Sequence, residues 1–315
     1  MAELTGTHGS MRELLGKLTA ESTVALRCSG DGRMLQPRRY GGFEVSTDEF
    51  VSAVYELAAV DGSLGWLTAM FNAAAHEVAC LPEHAAHDVW GADPDALIAI
   101  AYRGSGALAD GRLTGRWESV VGAEQAKWLL LPADERVVLA QRSGVRVEPV
   151  SRQTGLGAAG LCDLTASGLA VDERHVFTND RDRAAVIAGA SAAAAVVGSA
   201  AGVWRKHVDQ VRARLATSYG GDEVTNEAAA QVARAASDID AARLQLTASL
   251  QPPAADLVAA GWAAHRQAVA RARGAADRLL GSSRHALDAS DPVSRLWRDV
   301  HAGCRLAVQL LERLQ

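Results

Sequence analysis

The fold is decided by residues 97–117, which read LIAIAYRGSGALADGRLTGRW. Their first six residues are a continuous apolar run of the kind that favours a buried strand. Asp110-Gly111 is a two-residue hairpin turn, and the alternating pattern that follows it as far as Trp117 indicates a second strand. Further short strands are predicted at residues 128–131, 137–140 and 164–171. Together these segments predict a small antiparallel β-barrel or sandwich over residues 92–177.

Helical patterns lie on both sides of this β domain. Before it, helices are predicted at residues 11–27, 46–60, 64–80 and 83–90. Ser46 and Glu49 form a capping box that opens the second of these helices. After it, long helices are predicted at residues 181–219, 222–249, 253–280 and 291–314. The chain is therefore mainly α, with an N-terminal helical domain (1–91), a β domain (92–177) and a C-terminal four-helix bundle (178–315).

Composition excludes several classes of protein. Hydrophobic residues make up 49% of the 315 residues and charged residues 22%, as in an ordinary globular chain. The net charge of -5 provides no positive field for a nucleic acid. The apolar run at residues 184–203 is rich in alanine and glycine, which favours a helix packed against other helices over a membrane span. We expect neither nucleic acid nor membrane as a partner.

The cysteines and the N-terminus indicate a cytoplasmic protein. Cys28, Cys80, Cys162 and Cys304 lack CxxC spacing, which is typical of reduced thiols and not of a disulfide framework or a zinc site. The first ten residues are polar and have no apolar segment like that of a signal peptide. His84 and His87 share one helix face, but no third ligand lies at a defined spacing from them, so we expect no metal.

Several local segments, in this order along the chain, resemble one enzyme family. They are residues 37–42 (PRRYGG), 61–66 (DGSLGW), 115–122 (GRWESVVG), 126–128 (AKW), 155–163 (GLGAAGLCD) and 291–302 (DPVSRLWRDVHA). On these segments the chain resembles the two-component flavin-dependent monooxygenases (hydroxylases) of the acyl-CoA dehydrogenase fold, as a divergent member. The order of helices, β domain and helical bundle is also that of the acyl-CoA dehydrogenase fold.

The resemblance implies an oxidoreductase that hydroxylates aromatic or polycyclic small molecules with O2. Reduced flavin, FAD or FMN, is supplied by a separate flavin reductase, the substrate is a hydrophobic small molecule, and the enzyme is a homo-oligomer, a tetramer or a dimer. In this sequence the residues implied to contact the cofactor are Asn72, Trp117, Val121, Gly122, Gly160 and Leu161.

The chain departs from the family pattern where the chemistry depends on side chains. Val121 stands where the family has a serine, and Leu161 stands at a second serine position. Leu306 occupies the position of the family's C-terminal histidine, a residue suited to act as a base near neutral pH. His301, one turn earlier, is the candidate that could replace it as the catalytic base.

Other interpretations of these residues stay open. Trp117 is equally consistent with a buried aromatic that closes the β core, and Asn72 with a helix-interior amide bonded to neighbouring backbone. Val121, Leu161 and Leu306 stand where the family has two serines and a histidine. The loss of these polar side chains also fits a flavin-free descendant of the same fold. Such a descendant would be a cofactor-independent catalyst on a hydrophobic small molecule, or a non-catalytic partner subunit.

Overall fold

The computed structural model describes residues 21–313. It leaves out residues 22, 23, 25, 27, 28, 151, 152, 179, 180, 219–223, 251–257, 282–287 and 289. Most of the predicted helix at residues 11–27 therefore lies outside the described residues, as does Cys28. The described cysteines Cys80, Cys162 and Cys304 are free thiols.

Within the described residues, three α-helices with defined bounds precede the sheet. They are α1 (Thr47–Val60), α2 (Gly62–Cys80) and α3 (Glu83–Trp90). Ser46 begins α1 with the predicted capping box, because its side chain accepts from the N–H of Glu49 while the Glu49 carboxylate bonds the N–H of Ser46. The side chain of Asp61 begins α2 by accepting from the N–H of Leu64 at 3.0 Å. The chain turns sharply between the two helices at this one residue.

Eight strands form one sheet in the middle of the chain. They are β1 (Ile98–Ile100), β2 (Gly104–Ala109), β3 (Arg112–Val121), β4 (Trp128–Ala133), β5 (Arg136–Gln141), β6 (Arg146–Pro149), β7 (Leu161–Ala170) and β8 (Val176–Thr178). The order across the sheet is β6-β7-β3-β2-β4-β5-β8, and β1 pairs with β4. The hairpin at Asp110-Gly111 joins β2 to β3 as predicted, with Ala109 opposite Arg112.

Two features of the sheet differ from the sequence prediction. The sheet is not wholly antiparallel, because β4 runs parallel to both β1 and β2. The strand β2 was not predicted, because the predicted strand before the hairpin turn was residues 97–102, which is β1; the short strands β6 and β8 were not predicted either. Each has too few residues to show a clear alternation, and each is fixed by pairing with a distant strand, β7 or β5 respectively.

In the described part of the chain, four helices follow the sheet and build the bundle. They are α4 (Arg181–Thr217), α5 (Asn226–Ser249), α6 (Val258–Gly281) and α7 (Pro292–Arg313). The stretch Val186–Thr217 of α4 is long and apolar enough to cross a membrane, but 94% of its most apolar window is buried inside the protein. Gly198 and Gly202 let α4 approach α1 closely, since a Cβ at either would lie within 2.3 Å of a carbonyl oxygen of α1. We conclude that α4 is the central core helix.

The hydrophobic core consists of three clusters of buried residues, and the candidate site lies where two of them meet. One cluster fills the helical regions and includes Val121 and Leu161 from the ends of two strands. A second lies inside the sheet around Trp117. A third fills the space between the sheet and α3 around Trp90. The ends of β3 and β7 therefore meet the helices where the first two clusters join.

Candidate active site

A cavity lies where α2, α7 and the ends of β1 and β3 meet. It is open to solvent on one side, and only together with the open space at its mouth does it measure about 410 Å³. The residues that line it are Trp66, Met70, Ile100, Tyr102, Arg103, Glu118, Ser119, Val121, Leu306, Gln309 and Leu310. A mostly apolar cavity with a few polar groups is the usual form of a small-molecule site. Two positions singled out from the sequence, Val121 and Leu306, border it together.

A β-bulge in β3 shapes one wall of the cavity. The pairing of β3 with β7 shifts register between Trp117 and Val120, and Ser119 has a left-handed backbone with φ of 56°. The extra residue places Trp117 and Val120 together in the sheet core, while Ser119 and Val121 border the cavity. A serine in this conformation costs about 1–3 kcal/mol and persists only where its surroundings hold it.

The carboxylate of Asp163 holds the bulge. The backbone N–H of Ser119 donates to Asp163 Oδ1 at 3.1 Å, and Arg116 Nη2 lies 3.5 Å from Asp163 Oδ2. Asp163 is the last residue of the segment 155–163 that the sequence singled out. Its role in the structure is to stabilise the strained serine at the cavity wall.

The polar groups of the cavity differ in how they are engaged. Arg103 Nε lies 3.0 Å from Glu118 Oε2 at the rim, an exposed pair that contributes about 0–1 kcal/mol. Burial raises the pKa of Tyr102 well above its ordinary value of 10, with a smaller push from the charge of Glu77, so the phenol stays protonated. Within the described part of the chain, the side chains of Ser119 and Gln309 make no hydrogen bond.

Three of the sequence motifs meet beside the cavity and dock the sheet onto the helices. Gly155 lies against α7, where a Cβ would come within 2.2 Å of the Arg298 carbonyl oxygen. The N–H of Leu156 donates to Asp299 Oδ1 at 2.6 Å, and the N–H of Ala158 donates to Ser63 Oγ at 3.2 Å. The segments 61–66, 155–163 and 291–302 therefore share a structural function.

The carboxyl group at this junction is perturbed by its surroundings. Burial raises the pKa of Asp299 from 3.8 to about 6, and the hydrogen bond from the Leu156 N–H opposes that rise. Only 6% of Asp299 is exposed. Its role is to anchor the loop, because its hydrogen bond is to backbone and Asp299 does not border the cavity.

Two predicted cofactor contacts have their polar atoms hydrogen-bonded within the fold. Trp117 is fully buried in the sheet core, and its Nε1 donates to the Pro132 carbonyl at 2.9 Å. The amide of Asn72 is also fully buried: its Oδ1 accepts from the N–H of Leu35 at 3.0 Å, and its Nδ2 donates to the Asp31 carbonyl at 2.6 Å. Neither side chain has a polar atom left for a flavin, so both hold the fold.

Gly122 and Gly160, the two glycines predicted to contact the cofactor, are hydrogen-bonded to each other within the fold. Gly122 has φ of 68°, and its N–H points to the carbonyl oxygens of Ala159 and Gly160, at 3.2 and 3.1 Å. This N–H is therefore bonded within the fold, and a contact of Gly122 with a cofactor stays a prediction. The structure brings Val121 and Leu161 together as directly paired residues of β3 and β7. Val121 borders the cavity, whereas Leu161 packs into the helical core.

His301 is not placed to act as a base in the cavity. Its Nε2 lies 2.6 Å from Asp277 Oδ1 on α6, and its ring packs on Trp297 with centroids 4.2 Å apart. Residues 301 and 306 point in different directions from α7 because five residues are nearly one and a half helical turns. His301 therefore does not line this cavity, and its role as a base stays a prediction. No histidine among the described residues borders the cavity.

Sequence reasoning missed several residues of the cavity. Trp66 was noticed only as part of a motif, and neither Tyr102, Glu118 nor Gln309 was singled out. Ser119 was not among the predicted contacts, although a shift of one or two residues in the family alignment places it at the serine position; the bulge brings it to the cavity. The signal that could have found Gln309 is its spacing of three residues from Leu306, which places both on one face of α7.

Comparison with known proteins is consistent with this architecture. Residues 190–309 match the family described as acyl-CoA dehydrogenase, C-terminal domain. The fold is acyl-CoA dehydrogenase-like, and the chain belongs to the family of oxygenase subunits of flavin-dependent monooxygenases.

Particular members of the family are similar over most of the chain. The flavin-dependent monooxygenase, oxygenase subunit HsaA, of Rhodococcus jostii (strain RHA1) is 30% identical over 92% of this chain and 88% of its own length. The crystal structure of 3-HSA hydroxylase from Rhodococcus sp. RHA1 covers 96% of this chain and 91% of its own, with a TM-score of 0.82 and 26% identity. The FADH(2)-dependent resorcinol hydroxylase, oxygenase component, of Rhizobium sp. (strain MTP-10005) is 34% identical over 42% of this chain and 34% of its own length.

Proposed function

We propose that this chain is the oxygenase component of a two-component system that hydroxylates an aromatic small molecule in the cavity. A separate reductase supplies the reduced flavin, FAD or FMN, and O2 is the second substrate. The observation that carries the proposal is that Ser119 and Val121 of the sheet meet Leu306 and Gln309 of α7 around one cavity. The family resemblance implies that Val121 lies beside the cofactor and Leu306 beside the substrate, and both residues border this one cavity.

The residues present fit a planar ring with polar edges. Trp66, Met70, Leu306 and Leu310 provide apolar surface for the face of such a ring. The hydroxyl of Ser119 and the amide of Gln309 provide donors for its ring carbonyls and nitrogens. Bound reduced flavin supplies the two electrons that let one oxygen atom of O2 enter the substrate.

The residues of this chain contribute positioning and exclusion of water. The apolar side chains on α2 and α7 keep bulk water from the inner end of the cavity, which strengthens polar interactions there. Tyr102 holds its proton, because its pKa is raised, and so serves as a hydrogen-bond donor and not as a base. Glu118, paired with Arg103, supplies a carboxylate at the rim that can accept a hydrogen bond from a substrate hydroxyl.

We further propose a cytoplasmic homo-oligomer, a tetramer or a dimer. The free thiols of Cys80, Cys162 and Cys304 support a reducing compartment. The length of α5 and α6, 24 residues each, supports an interface along the bundle. Light scattering of the purified protein in solution measures the number of subunits directly.

The decisive experiment separates cofactor binding from turnover. Purified protein is titrated with oxidised and photoreduced FAD and FMN while flavin fluorescence and absorbance are followed. Reduced flavin and ¹⁸O2 are then supplied with a panel of phenols, and products are examined by mass spectrometry. We expect binding of reduced flavin and one ¹⁸O atom per hydroxylated product. Failure of both flavins to bind in either redox state contradicts the proposal.

A second candidate function is favoured by one observation. Hydrophobic residues occupy the cavity positions where the family resemblance implies a serine (Val121) and a histidine (Leu306). A flavin-free descendant would use the same cavity for an apolar molecule, as a cofactor-independent catalyst or as a non-catalytic partner subunit. The double variant Val121→Ser with Leu161→Ser tests this: if flavin binding is absent in the wild type and appears in the variant, the hydrophobic residues caused the loss.

A further inference from the structure

We propose that the side-chain amide of Gln309 on α7 selects the substrate by hydrogen-bonding an uncharged oxygen of an aromatic molecule, such as a phenolic hydroxyl. This inference rests on the proposed function, because it assumes that the cavity receives the substrate. It assigns a specificity-determining role to a residue that no sequence motif marked. It also gives the substrate an orientation, with its ring in the apolar part of the cavity and its oxygen at the amide.

The first observation is the direction in which Gln309 leaves its helix. Leu306, Gln309 and Leu310 all border the cavity. Residues at i, i+3 and i+4 lie on one face of an α-helix, so α7 presents these three side chains to the cavity together. Val308 is exposed and does not border the cavity. The side chain of Gln309 therefore begins on the cavity side of α7.

The second observation is that the amide of Gln309 is both unpaired and accessible. Within the described residues it makes no hydrogen bond, and neither its oxygen nor its nitrogen is buried. Gln36 shows the alternative, because it is buried and its amide donates to the carbonyls of Tyr40 and Pro94 at 2.6 and 2.9 Å. Gln36 holds the fold, whereas Gln309 keeps its hydrogen-bonding capacity for a molecule that enters the cavity.

The third observation is the change of polarity across the cavity. Trp66 and Met70 provide apolar surface and are buried. Arg103 and Glu118 form the charged pair at the rim, where their side chains are 46% and 38% exposed. Gln309 is half-buried, intermediate in exposure between these two groups. An aromatic ring that contacts the apolar residues therefore directs a polar substituent away from them and towards the amide.

The position of Gln309 assigns it to the substrate and not to the cofactor. Ser119 and Gln309 are the two unpaired polar side chains that fit the edge of a planar ring. Ser119 is two residues from Val121, the position that the family resemblance places beside the cofactor. Gln309 is one helical turn from Leu306, the position that the resemblance places beside the substrate.

The chemistry of a primary amide defines the oxygen that fits. A glutamine amide offers two N–H donors and one carbonyl acceptor, and it carries no charge. It pairs with a hydroxyl, or with a carbonyl or ether oxygen, but it does not neutralise an ionised group. The charges of Arg103 and Glu118 already compensate each other, so a carboxylate on the substrate would lose hydration without gaining a free counter-charge. The site should therefore select neutral aromatic molecules that carry an oxygen over hydrocarbons and over aromatic acids.

The experiment compares 2-naphthol with 2-methylnaphthalene, which has a similar shape but no oxygen. Their dissociation constants are measured by equilibrium dialysis against the flavin-free full chain, for the wild type and for Gln309→Leu. We expect the wild type to prefer 2-naphthol, and this preference to fall about three- to tenfold in the variant, as the loss of one hydrogen bond implies. The ratio of the two constants removes changes in apolar contact, because both probes share the same ring system.

A second variant separates hydrogen bonding from packing. Gln309→Glu keeps the size of the side chain and its acceptor oxygens, but the ionised carboxylate has no N–H to donate. 2-Methoxynaphthalene, whose oxygen only accepts, should bind the variant about three- to tenfold more weakly than the wild type. 2-Naphthol should keep its affinity, because its hydroxyl donates to the carboxylate. A residue with only a structural role would not distinguish these two probes.

Control variants make the result specific. Gln231→Leu removes a half-buried amide on α5 that does not border the cavity, and it should leave the preference unchanged. Circular dichroism confirms that each variant folds. The proposal is overturned if Gln309→Leu retains the full preference or if Ser119→Ala abolishes it instead. It is also overturned if 2-naphthoate binds the wild type more tightly than 2-naphthol, or if the wild type shows no preference for 2-naphthol, including the case in which it binds neither probe.

These outcomes are distinguishable from failure of the proposed function. Dialysis without flavin tests the cavity and its amide alone. A protein that prefers 2-naphthol through Gln309 but binds no flavin supports the selective role and contradicts the oxygenase. A protein that hydroxylates phenols with an unchanged preference in Gln309→Leu supports the oxygenase and contradicts the selective role.

Discussion

The amide of Asn72 joins the segment 31–35 to α2 through hydrogen bonds. Its oxygen accepts from the N–H of Leu35, and its nitrogen donates to the carbonyls of Asp31 and Thr68. All of these groups surround a side chain that is fully buried. The segment 31–35 is therefore held on α2 by one residue, since a buried backbone group that loses its partner is not resolvated by water.

Replacing this amide tests its structural role. Asn72→Ala should lower the free energy of unfolding by about 2–4 kcal/mol, because it leaves buried polar groups unpaired and opens a cavity. Urea denaturation followed by circular dichroism measures the change. The control is Asn226→Ala, an exposed position at the start of α5, where the change should stay within about 0.5 kcal/mol. Equal effects in both variants would contradict this role.

Asp299 makes stability depend on pH. Its pKa is raised to about 6 in the folded protein from an ordinary value of 3.8, so the folded state binds the proton more tightly than the unfolded state. The free energy of unfolding should therefore fall as pH rises from about 4 to about 6, by roughly 3 kcal/mol from this group alone. Above pH 6 this group adds no further change.

Asp299→Asn isolates that contribution. The amide oxygen still accepts from the N–H of Leu156, while the ionisation is removed. The difference in free energy of unfolding between variant and wild type should grow in favour of the variant between pH 4.5 and 6.5. Urea titrations at five pH values measure it. A difference that is constant across this range would show that Asp299 is not the titrating group.

At the scale of elements, the loop before β7 is held by close contact between backbones. Gly155→Ala would place a methyl group 2.2 Å from the Arg298 carbonyl oxygen, so the loop must leave α7 or α7 must shift. We expect a loss of several degrees in Tm. Gly261→Ala, in α6 with no atom within 4 Å of the added carbon, should instead stabilise by about 0.5–1 kcal/mol. Differential scanning calorimetry compares the two variants, and an unchanged Tm in Gly155→Ala would contradict the docking.

The elements themselves were largely accessible from sequence because their signals are local. Capping at Ser46, the hairpin at Asp110-Gly111 and long apolar periodicity each predict an element from neighbouring residues. The bulge at Ser119 was not accessible, because a left-handed serine is disfavoured locally and is held by Asp163, 44 residues away. Parallel pairing of β4 with β1 likewise depends on distant contacts.

At the scale of the whole molecule, the cavity exists only where all three regions of the chain are assembled. Val121 and Leu306 were singled out from the sequence, and they border it together. The polar groups could not be assigned from sequence, because whether an amide or indole is free depends on its tertiary partners. Asn72 and Trp117 look like ligand-binding residues in the sequence and are fully engaged, whereas Trp66 is not.

A ligand in this cavity should therefore stabilise three distant segments at once. Binding to the folded state alone adds about 2.7 kcal/mol at a ligand concentration of 100 Kd, and it slows every local opening that destroys the site. With saturating 2-naphthol, hydrogen–deuterium exchange should slow in peptides that contain the cavity residues of α2, of the end of β3 and of α7. Peptides over the hairpin turn at Asp110-Gly111 serve as the unaffected control. Protection confined to one of the three segments would show that the ligand binds elsewhere and that the cavity does not couple the sheet to the helices.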